Sequence, residues 1–106
     1  MKKILVTGGC GYKGSILIPK LLNKGNYVIC LDTQWFGSYL EKHSNLEIIK
    51  SDIRNIDFLN LENVDSIIHL ANVANDPAVE LNPTMSWEVN VLAGQQLIDK
   101  AVRNNV

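Results

Sequence analysis

The chain has 106 residues, of which 46% are hydrophobic and 20% are charged, and its formal net charge is −1. This length allows one domain with a buried core, and the composition is that of an ordinary globular protein. Because Lys and Arg are scattered, no basic patch indicates a nucleic-acid partner, and no apolar run is long enough to indicate a membrane span.

The first predicted element is a strand over residues 3–7. Its sequence, KILVT, is almost continuously apolar, which suits a strand buried on both faces of a parallel sheet. The apolar run itself ends at Val6 and is too short for the core of a signal peptide. We therefore expect a protein of the reducing cytoplasm.

A glycine-rich loop and an amphipathic helix follow this strand. Pro19 lies inside the predicted helix and should kink or loosen it, because proline removes the hydrogen bond to the Ser15 carbonyl. Residues 24–26, KGN, form a C-terminal stop signal. The apolar residues close to one predicted helix face are Ile16, Leu17, Leu21 and Leu22.

The rest of the chain alternates between strands and helices. Strands are predicted over residues 27–31, 46–49 and 66–71, a short helix over 56–61, and a longer helix from about 86 to 103. Strands that alternate with helices indicate a parallel sheet with right-handed crossovers, so the predicted fold class is α/β.

The loop of residues 8–14, GGCGYKG, joins the first strand to the first helix. Gly9, Gly11 and Gly14 satisfy the pattern G-x-G-x-x-G. Gly8, Gly11 and Gly14 satisfy the wider pattern G-x-x-G-x-x-G. In a dinucleotide-binding loop one glycine permits the tight turn, one lets the backbone approach a pyrophosphate, and one lets helix and strand pack closely.

The start of the helix adds to this prediction. Its first turn offers unpaired N–H groups and a partial positive charge, and we expect the backbone N–H groups of Tyr12 and Lys13 to point at the pyrophosphate. A glycine-rich turn without a ligand is the plain alternative. A nucleoside-triphosphate P-loop is excluded, because Ser15 and Ile16 stand where Lys followed by Ser or Thr is required.

Asp32 ends the second predicted strand, eighteen positions after Gly14. This offset is close to that of the carboxylate that binds the adenosine ribose in dinucleotide-binding folds. Asp32 can accept hydrogen bonds from both ribose hydroxyls of NAD and would repel the 2′-phosphate of NADP. No Arg is present among the next residues, 33–35. The predicted cofactor is therefore NAD.

Four segments, in order, resemble the extended short-chain dehydrogenases/reductases, the NAD-dependent epimerases and dehydratases of sugar nucleotides. They are TGGCGYKG at 7–14, SDIR at 51–54, HLAN at 69–72 and WEVNV at 87–91. The resemblance implies a doubly wound Rossmann sheet, represented by its first four strands in the order 3-2-1-4. It also implies that residues 1–106 are the N-terminal part of an NAD(P)-binding domain.

The resemblance assigns roles to residues in the later segments. Asp52 would bond the adenine amino group, and the Ile53 backbone would bond a ring nitrogen. Residues 70–72 would lie beside the ribose and nicotinamide half, and Asn90 would help to hold that region. The predicted cofactor-binding set is Gly8, Gly11, Tyr12, Lys13, Gly14, Asp32, Asp52, Ile53, Leu70, Ala71, Asn72 and Asn90.

Two departures from the family pattern matter. Asn72 replaces the usual second alanine, and it either alters the substrate pocket or caps the loop. The family's catalytic Ser or Thr and its Tyr-x-x-x-Lys lie beyond a fifth strand, and none of Tyr12, Tyr27 and Tyr39 has Lys four positions later. In the intact family these residues act on the sugar while the cofactor takes and returns a hydride.

We therefore expect no catalytic residue and no substrate domain in this chain, which alone should be inactive. The expected function is the NAD-binding portion of a sugar-nucleotide epimerase or dehydratase, with the substrate bound only by the full-length protein. The alternative is a stand-alone, non-catalytic NAD-binding module. A different nucleotide-binding α/β fold is a more distant alternative, because it would give no reason for the segments that contain Asp32 and Asp52.

Three further residues have a plain structural interpretation. For His69, a structural hydrogen bond to the backbone is favoured over a role as general base. Cys10 is favoured as a small residue in a turn over a reactive thiol. Cys10 and Cys30 are too few and too far apart in sequence for a zinc site or a disulfide framework, so no metal is predicted.

The last predicted helix has a broad apolar surface. One stripe contains Trp87, Val91, Gly94, Ile98 and Ala101. Such a surface indicates burial against the sheet and against something further. The resemblance implies the partner helix of a homodimer, and a second packed helix of the same subunit is the alternative. We also expect the chain by itself to self-associate through its fourth strand, an apolar parallel edge.

Overall fold

The computed structural model describes residues 1–33, 40–54, 59–71, 84 and 88–106. Four strands of this part form one parallel sheet in the order β3-β2-β1-β4. The strands are β1 (Lys3–Thr7), β2 (Tyr27–Asp32), β3 (Leu46–Lys50) and β4 (Ser66–His69). The predicted fold class and strand order are confirmed, and β4 ends two residues before the predicted Ala71.

The two faces of the sheet are covered by different elements. Helix α1 (Tyr12–Asn23) packs on one face, where Ile18 and Leu22 meet Ile4, Val6 and Val28. The opposite face is covered by the segment 59–64 and by the last helix, whose Leu97 joins a core with Leu5 and Leu31. Alternating strand residues therefore point into two separate cores, as a doubly wound sheet requires.

Helix α1 differs in detail from the prediction. Its buried residues are Gly14, Ile18 and Leu22, whereas Ile16 is 46% exposed. The predicted face was wrong at Ile16, because the contact of Gly14 with the glycine loop decides which side of the helix faces the sheet. The helix continues through Pro19 to Asn23 and ends before Gly25, whose φ is +84°.

The short helix predicted over 56–61 is not present at its described end. Residues 59–61 are irregular, and Leu59 and Leu61, two positions apart, are both buried in the core. Two buried leucines at this spacing suit an extended covering segment rather than a helix turn. Residues 55–58 lie outside the described part.

The last helix begins with a π-helical segment, Glu88–Ala93, and continues as α2 (Gly94–Arg103). Ala93 and Leu97 face the core, while Val91 and Ile98 are more than half exposed. Val91 and Ile98 of the predicted stripe therefore point away from the sheet, whereas Gly94 lies beside His69 of β4. Trp87 lies outside the described residues. In the part of the chain that the structure describes, no helix has the length and apolar character to cross a membrane.

Candidate functional site

The segments with predicted site residues meet at the edge of the sheet that is formed by the carboxyl ends of its strands. In the strand register, Thr7 pairs with Leu31 on one side and with His69 on the other. Asp32 pairs with Lys50. The glycine loop, Asp32 and the segments after β3 and β4 therefore all follow the carboxyl ends of parallel strands. In open α/β sheets, ligands bind at this edge, where the strand order reverses.

Gly8 makes the turn at the end of β1. Its φ is +70°, and its N–H donates to the Leu31 carbonyl at 2.7 Å. A Cβ at this position would lie 2.7 Å from the Ala71 nitrogen and 2.9 Å from the Leu70 carbonyl carbon. The turn and the close passage of the segment after β4 therefore both require glycine at this position.

Gly9 and Gly14 are required by packing. A Cβ on Gly14 would overlap the Gly9 backbone, and a Cβ on Gly9 would lie 2.6 Å from both the Cys30 Sγ and the Ile18 Cδ1. The close approach of α1 to the loop after β1 depends on these two missing side chains. The packing role predicted for one glycine is therefore filled by Gly14 together with Gly9.

Gly11 has a different environment. Its φ is −76°, which any residue can adopt, and the protein atom nearest to an added Cβ is the Gly8 oxygen at 3.5 Å. Neither the backbone conformation nor packing against the described residues therefore explains glycine at this position. Within the described part of the chain the space above it is open, as a backbone that is to be approached closely by a ligand requires.

The first turn of α1 lies beside Gly11. The first helical hydrogen bond runs from the Ser15 N–H to the Gly11 carbonyl at 2.9 Å. The N–H groups of Tyr12, Lys13 and Gly14 precede it, and Gly11 has no side chain with which to cap them. The turn also contains no acidic residue. This is the arrangement that binds anions at helix N-termini.

Asp32 lies directly against the glycine loop. Its Oδ2 accepts a hydrogen bond from the Cys10 N–H at 2.9 Å, and its main-chain carbonyl accepts one from the Ser51 N–H at 2.9 Å. The residue is half-buried. Sequence reasoning missed the Cys10 contact, because it joins residues 22 positions apart through a backbone N–H.

Asp52 is held by Arg54. Its Oδ2 accepts hydrogen bonds from the Arg54 Nε at 3.0 Å and Nη2 at 2.6 Å, and its Oδ1 accepts the Arg54 N–H at 2.9 Å. These bonds lower the pKa of Asp52 below its usual value, so the group is a carboxylate at neutral pH. The Ile53 side chain between them is buried in the core.

Arg54 was not among the predicted site residues. Besides Asp52, its Nη1 lies 3.6 Å from the Glu88 Oε1, at the start of the last helix. The arginine therefore links the segment after β3 to that helix. The only sequence signal for it was its place in the SDIR segment.

Thr7 and His69 join β1 to β4. The buried Thr7 Oγ1 accepts the N–H groups of Leu70 at 3.1 Å and Ala71 at 3.3 Å, and it lies 2.6 Å from the His69 Nδ1. Because the Leu70 and Ala71 N–H groups occupy both lone pairs of the Thr7 Oγ1, we infer that the hydroxyl donates to Nδ1 and that the neutral ring carries its proton on Nε2. Burial lowers the pKa of His69. The histidine therefore bonds a side-chain hydroxyl instead of the expected backbone group.

Other predicted positions have a mixed outcome. Leu70 and Ala71 lie at the site beside Gly8. Asn72 lies outside the described residues. Asn90 belongs to the π-helical segment, and its side chain also lies outside the described part. Among the residues that the structure describes, no group of three or more His, Cys, Asp or Glu could hold a metal ion.

The two cysteines are distant in sequence but adjacent in the fold. Their sulfur atoms lie 3.8 Å from each other beneath the glycine loop, although 20 positions separate them in sequence. Both are buried and both are free thiols. The strand register brings them together, because β2 runs directly beside β1.

Comparison with known proteins agrees with this geometry. Residues 4–106 match the NAD dependent epimerase/dehydratase family. UDP-glucuronic acid decarboxylase 1 of Danio rerio is 34% identical over 107 residues, covering 96% of this chain and 25% of that protein.

Solved structures are also similar. UDP-N-acetylglucosamine 4-epimerase from Methanobrevibacter ruminantium M1, in complex with UDP-N-acetylmuramic acid, superposes with a TM-score of 0.89 at 31% identity, over 99% of this chain and 35% of that one. MoeE5 in complex with UDP-glucose and NAD gives a TM-score of 0.82 at 29% identity, over 98% and 33%. The chain thus spans between a quarter and about a third of the length of these relatives.

Proposed function

The chain belongs to the NAD dependent epimerase/dehydratase family, and from this premise we propose that it is the NAD-binding portion of an enzyme that acts on a nucleotide sugar. Residues 1–106 would be the N-terminal part of the dinucleotide-binding domain. The substrate domain and the catalytic Tyr-x-x-x-Lys would lie outside these residues, and this chain alone would be inactive. The coverage of its relatives supports this division, since the chain matches only 25% of the decarboxylase.

The observation that carries the proposal is the open space at Gly11. Gly8, Gly9 and Gly14 are explained by the turn and by packing, whereas a Cβ on Gly11 would meet no atom of the described residues closer than 3.5 Å. A glycine without a structural reason, next to three N–H groups of a helix start, fits a backbone that a pyrophosphate approaches. The residues present therefore fit NAD.

Each remaining contact follows from the chemistry of the groups. The N–H groups of Tyr12, Lys13 and Gly14 would hold the pyrophosphate, and Asp32 would accept hydrogen bonds from the adenosine ribose. When bound, NAD supplies reversible hydride acceptance. The chain's own residues bind it, orient it and cover one side of it.

The adenine end would be bound by the segment after β3. The Asp52 carboxylate is kept deprotonated by Arg54, so it is an acceptor suited to the exocyclic amino group of adenine. The Ile53 backbone would bond a ring nitrogen. Leu70, Ala71 and Asn72 would lie along the ribose and nicotinamide half, with Asn90 supporting them.

The exposed apolar residues of the last helix, only some of which belong to the predicted stripe, support a further part of the proposal, a homodimer. These residues are Val91, Leu92, Ile98 and Val102. A helix with core residues on one face and large apolar residues on the other is expected to have a second neighbour. That neighbour would be the same helix of a second copy.

The sharpest test substitutes Gly11 by alanine in the whole protein as its gene encodes it. Among the described residues, the atom nearest to the added methyl is the Gly8 oxygen at 3.5 Å, an ordinary contact, so the melting temperature without ligand should stay that of the wild type. NAD affinity, measured by titration calorimetry, should fall by about tenfold or more, or at least 1.4 kcal/mol. Ile16→Ala, an exposed position farther along α1, is the control and should bind NAD as the wild type does. An unchanged affinity in Gly11→Ala would remove the glycine loop from the site.

A further inference from the structure

The thiols of Cys10 and Cys30 form a pair beneath the glycine loop. Their sulfur atoms are 3.8 Å apart, which is close to van der Waals contact. Cys30 is fully buried in β2, and Cys10, on the loop, retains 4% of its exposure. Both belong to the apolar core that includes Val6 and Ile18. Neither thiol has a role in the function proposed above.

Cys10 belongs to the glycine loop, and Cys30 packs against it. The Cys10 N–H donates to the Asp32 Oδ2 at 2.9 Å, so this residue sets the distance between the loop and the end of β2. The Cys30 sulfur is the surface on which Gly9 packs, since a Cβ on Gly9 would lie 2.6 Å from it. A change in the sulfur–sulfur distance must therefore be transmitted to the loop.

We propose that Cys10 and Cys30 are a redox modification site, at which a small peroxide converts the two thiols into an intramolecular disulfide that weakens binding at the glycine loop. The effect on NAD rests on the proposed function, whereas the formation of the disulfide does not. The loop residue Cys10 reacts first. Burial raises the pKa of Cys30, so this sulfur is a thiol at neutral pH.

The reaction balances with hydrogen peroxide as the oxidant. The Cys10 sulfur attacks one peroxide oxygen, the O–O bond breaks, and the departing hydroxide takes the thiol proton to give water and a sulfenic acid. The Cys30 sulfur then attacks the Cys10 sulfur, the S–O bond breaks, and the departing hydroxide takes the Cys30 proton as a second water. Two thiols lose two electrons in total, and one peroxide is reduced to two waters.

The disulfide requires the loop to move. The sulfurs must approach from 3.8 Å to about 2.0 Å. β2 is paired on both sides, with β1 and β3, so the loop is the part that yields. Movement of Cys10 toward β2 shifts its N–H relative to Asp32 and moves the first turn of α1. By thermodynamic linkage, a ligand that prefers the reduced loop must in turn oppose oxidation.

The test uses the whole protein as its gene encodes it. The protein is treated with hydrogen peroxide and digested with trypsin, and its peptides are then mapped. The two cysteines fall in separate peptides, residues 4–13 and 25–42. We expect these peptides to become linked within one molecule, with the loss of two hydrogens, and the loss of NAD binding to track the linked fraction. The NAD dissociation constant should rise about tenfold, within the usual range of coupling between two sites. Dithiothreitol should restore it, and saturating NAD should slow the linkage.

Two variants serve as controls. Cys30→Ala should give no linked peptide and, before oxidation, should bind NAD within about twofold of the wild type, or about 0.4 kcal/mol. Cys10→Ala should likewise give no linked peptide.

The proposal is overturned if both thiols of the folded protein stay unlinked, if linkage forms only between molecules, or if linkage leaves NAD binding intact. If the reduced protein does not bind NAD, the proposed function fails, and the peptide map still decides whether the pair closes.

Discussion

Asp32, the last residue of β2, also connects the glycine loop to the segment after β3. Its Oδ2 accepts the Cys10 N–H at 2.9 Å, and its carbonyl accepts the Ser51 N–H at 2.9 Å. One residue therefore fixes the glycine loop and the segment after β3 relative to each other. Substitution of Asp32 is expected to disturb the loop in addition to any ribose contact.

We expect Asp32→Ala to weaken NAD binding by about 1–3 kcal/mol, because charge-assisted hydrogen bonds to the ribose are lost. Asp32→Asn is the matched variant, since its amide oxygen can still accept the Cys10 N–H. A smaller loss in Asn than in Ala assigns the difference to the hydrogen bonds that the side-chain oxygen accepts, and the remaining loss in Asn to the negative charge. Calorimetry with NAD and NADP should also show reduced discrimination against NADP, since the negative charge is gone. Wild-type affinity in both variants would exclude Asp32 from the site.

His69 gives the stability of the protein a pH dependence. Its pKa in the folded protein lies below the usual 6.5 because of burial. Between these two values the unfolded chain binds more protons than the folded one, so stability is complete above about pH 6.5 and falls as the pH is lowered through this window. Protonation would also place a donor on Nδ1, against the Thr7 hydroxyl.

Urea unfolding at pH 7.5 and pH 5.5 (about one unit on either side of the usual histidine pKa) tests this interpretation. The wild type should be less stable at the lower pH, whereas His69→Asn, which keeps an acceptor near Nδ1 and does not titrate, should lose much less. The lowered pKa of Asp52 acts in a separate acid range, at and below its usual value of 3.8. An equal pH dependence in both proteins would contradict the assignment to His69.

At the scale of secondary-structure elements, the approach of α1 to β1 depends on glycine. Gly14 lies against the Gly9 backbone with no room for a Cβ, while Ile18 and Leu22 continue the same buried face. This contact decides the rotation of the helix about its axis. The helix start is consequently aimed at the space above Gly11.

Gly14→Ala should therefore destabilise the fold, by about 1–3 kcal/mol or more, because overpacking forces the helix away from the loop. Urea or thermal unfolding measures the change. Gly11→Ala is the matched control, since the same methyl is added three residues earlier where the nearest protein atom is 3.5 Å away. Equal stability of the two variants would show that the close helix–loop contact is not required.

At the scale of the whole molecule, two apolar surfaces lack a neighbour within the described part of the chain. β4 forms one edge of the sheet, with Ile67 and Ile68 half-buried. The last helix exposes Ile98 to 58% and Val102 to 70%. Edge strands and apolar patches of this kind promote association.

We predict that the 106-residue chain, produced by itself, self-associates at micromolar concentration. Sedimentation velocity should show species larger than a monomer. Ile98→Lys distinguishes the two surfaces: it should reduce association if the helix stripe is the interface and leave it unchanged if the β4 edge is responsible. A monomer with a cooperative, reversible melt would refute the prediction.

Much of the fold was predictable because it depends on local patterns. Short apolar runs separated by a glycine loop, a helix and stop signals predict the strands and their parallel arrangement. The errors concern elements whose faces are decided by distant neighbours. The first helix was predicted correctly, but Ile16 was assigned to its buried face and is exposed. Leu59 and Leu61 were assigned to a helix, although both cover the sheet from an irregular segment.

The location of the candidate site was predictable from sequence, because a glycine loop after β1 and an acid at the end of β2 meet at the carboxyl edge of any parallel sheet. The three-dimensional structure was needed to single out Gly11 as the loop glycine that packing within the described residues does not explain, because this requires the distances from each missing Cβ to its neighbours. It also decided the contacts of Thr7 with His69 and of Cys10 with Cys30, which join residues 62 and 20 positions apart. Such contacts depend on strand register and helix rotation, and no local pattern contains either.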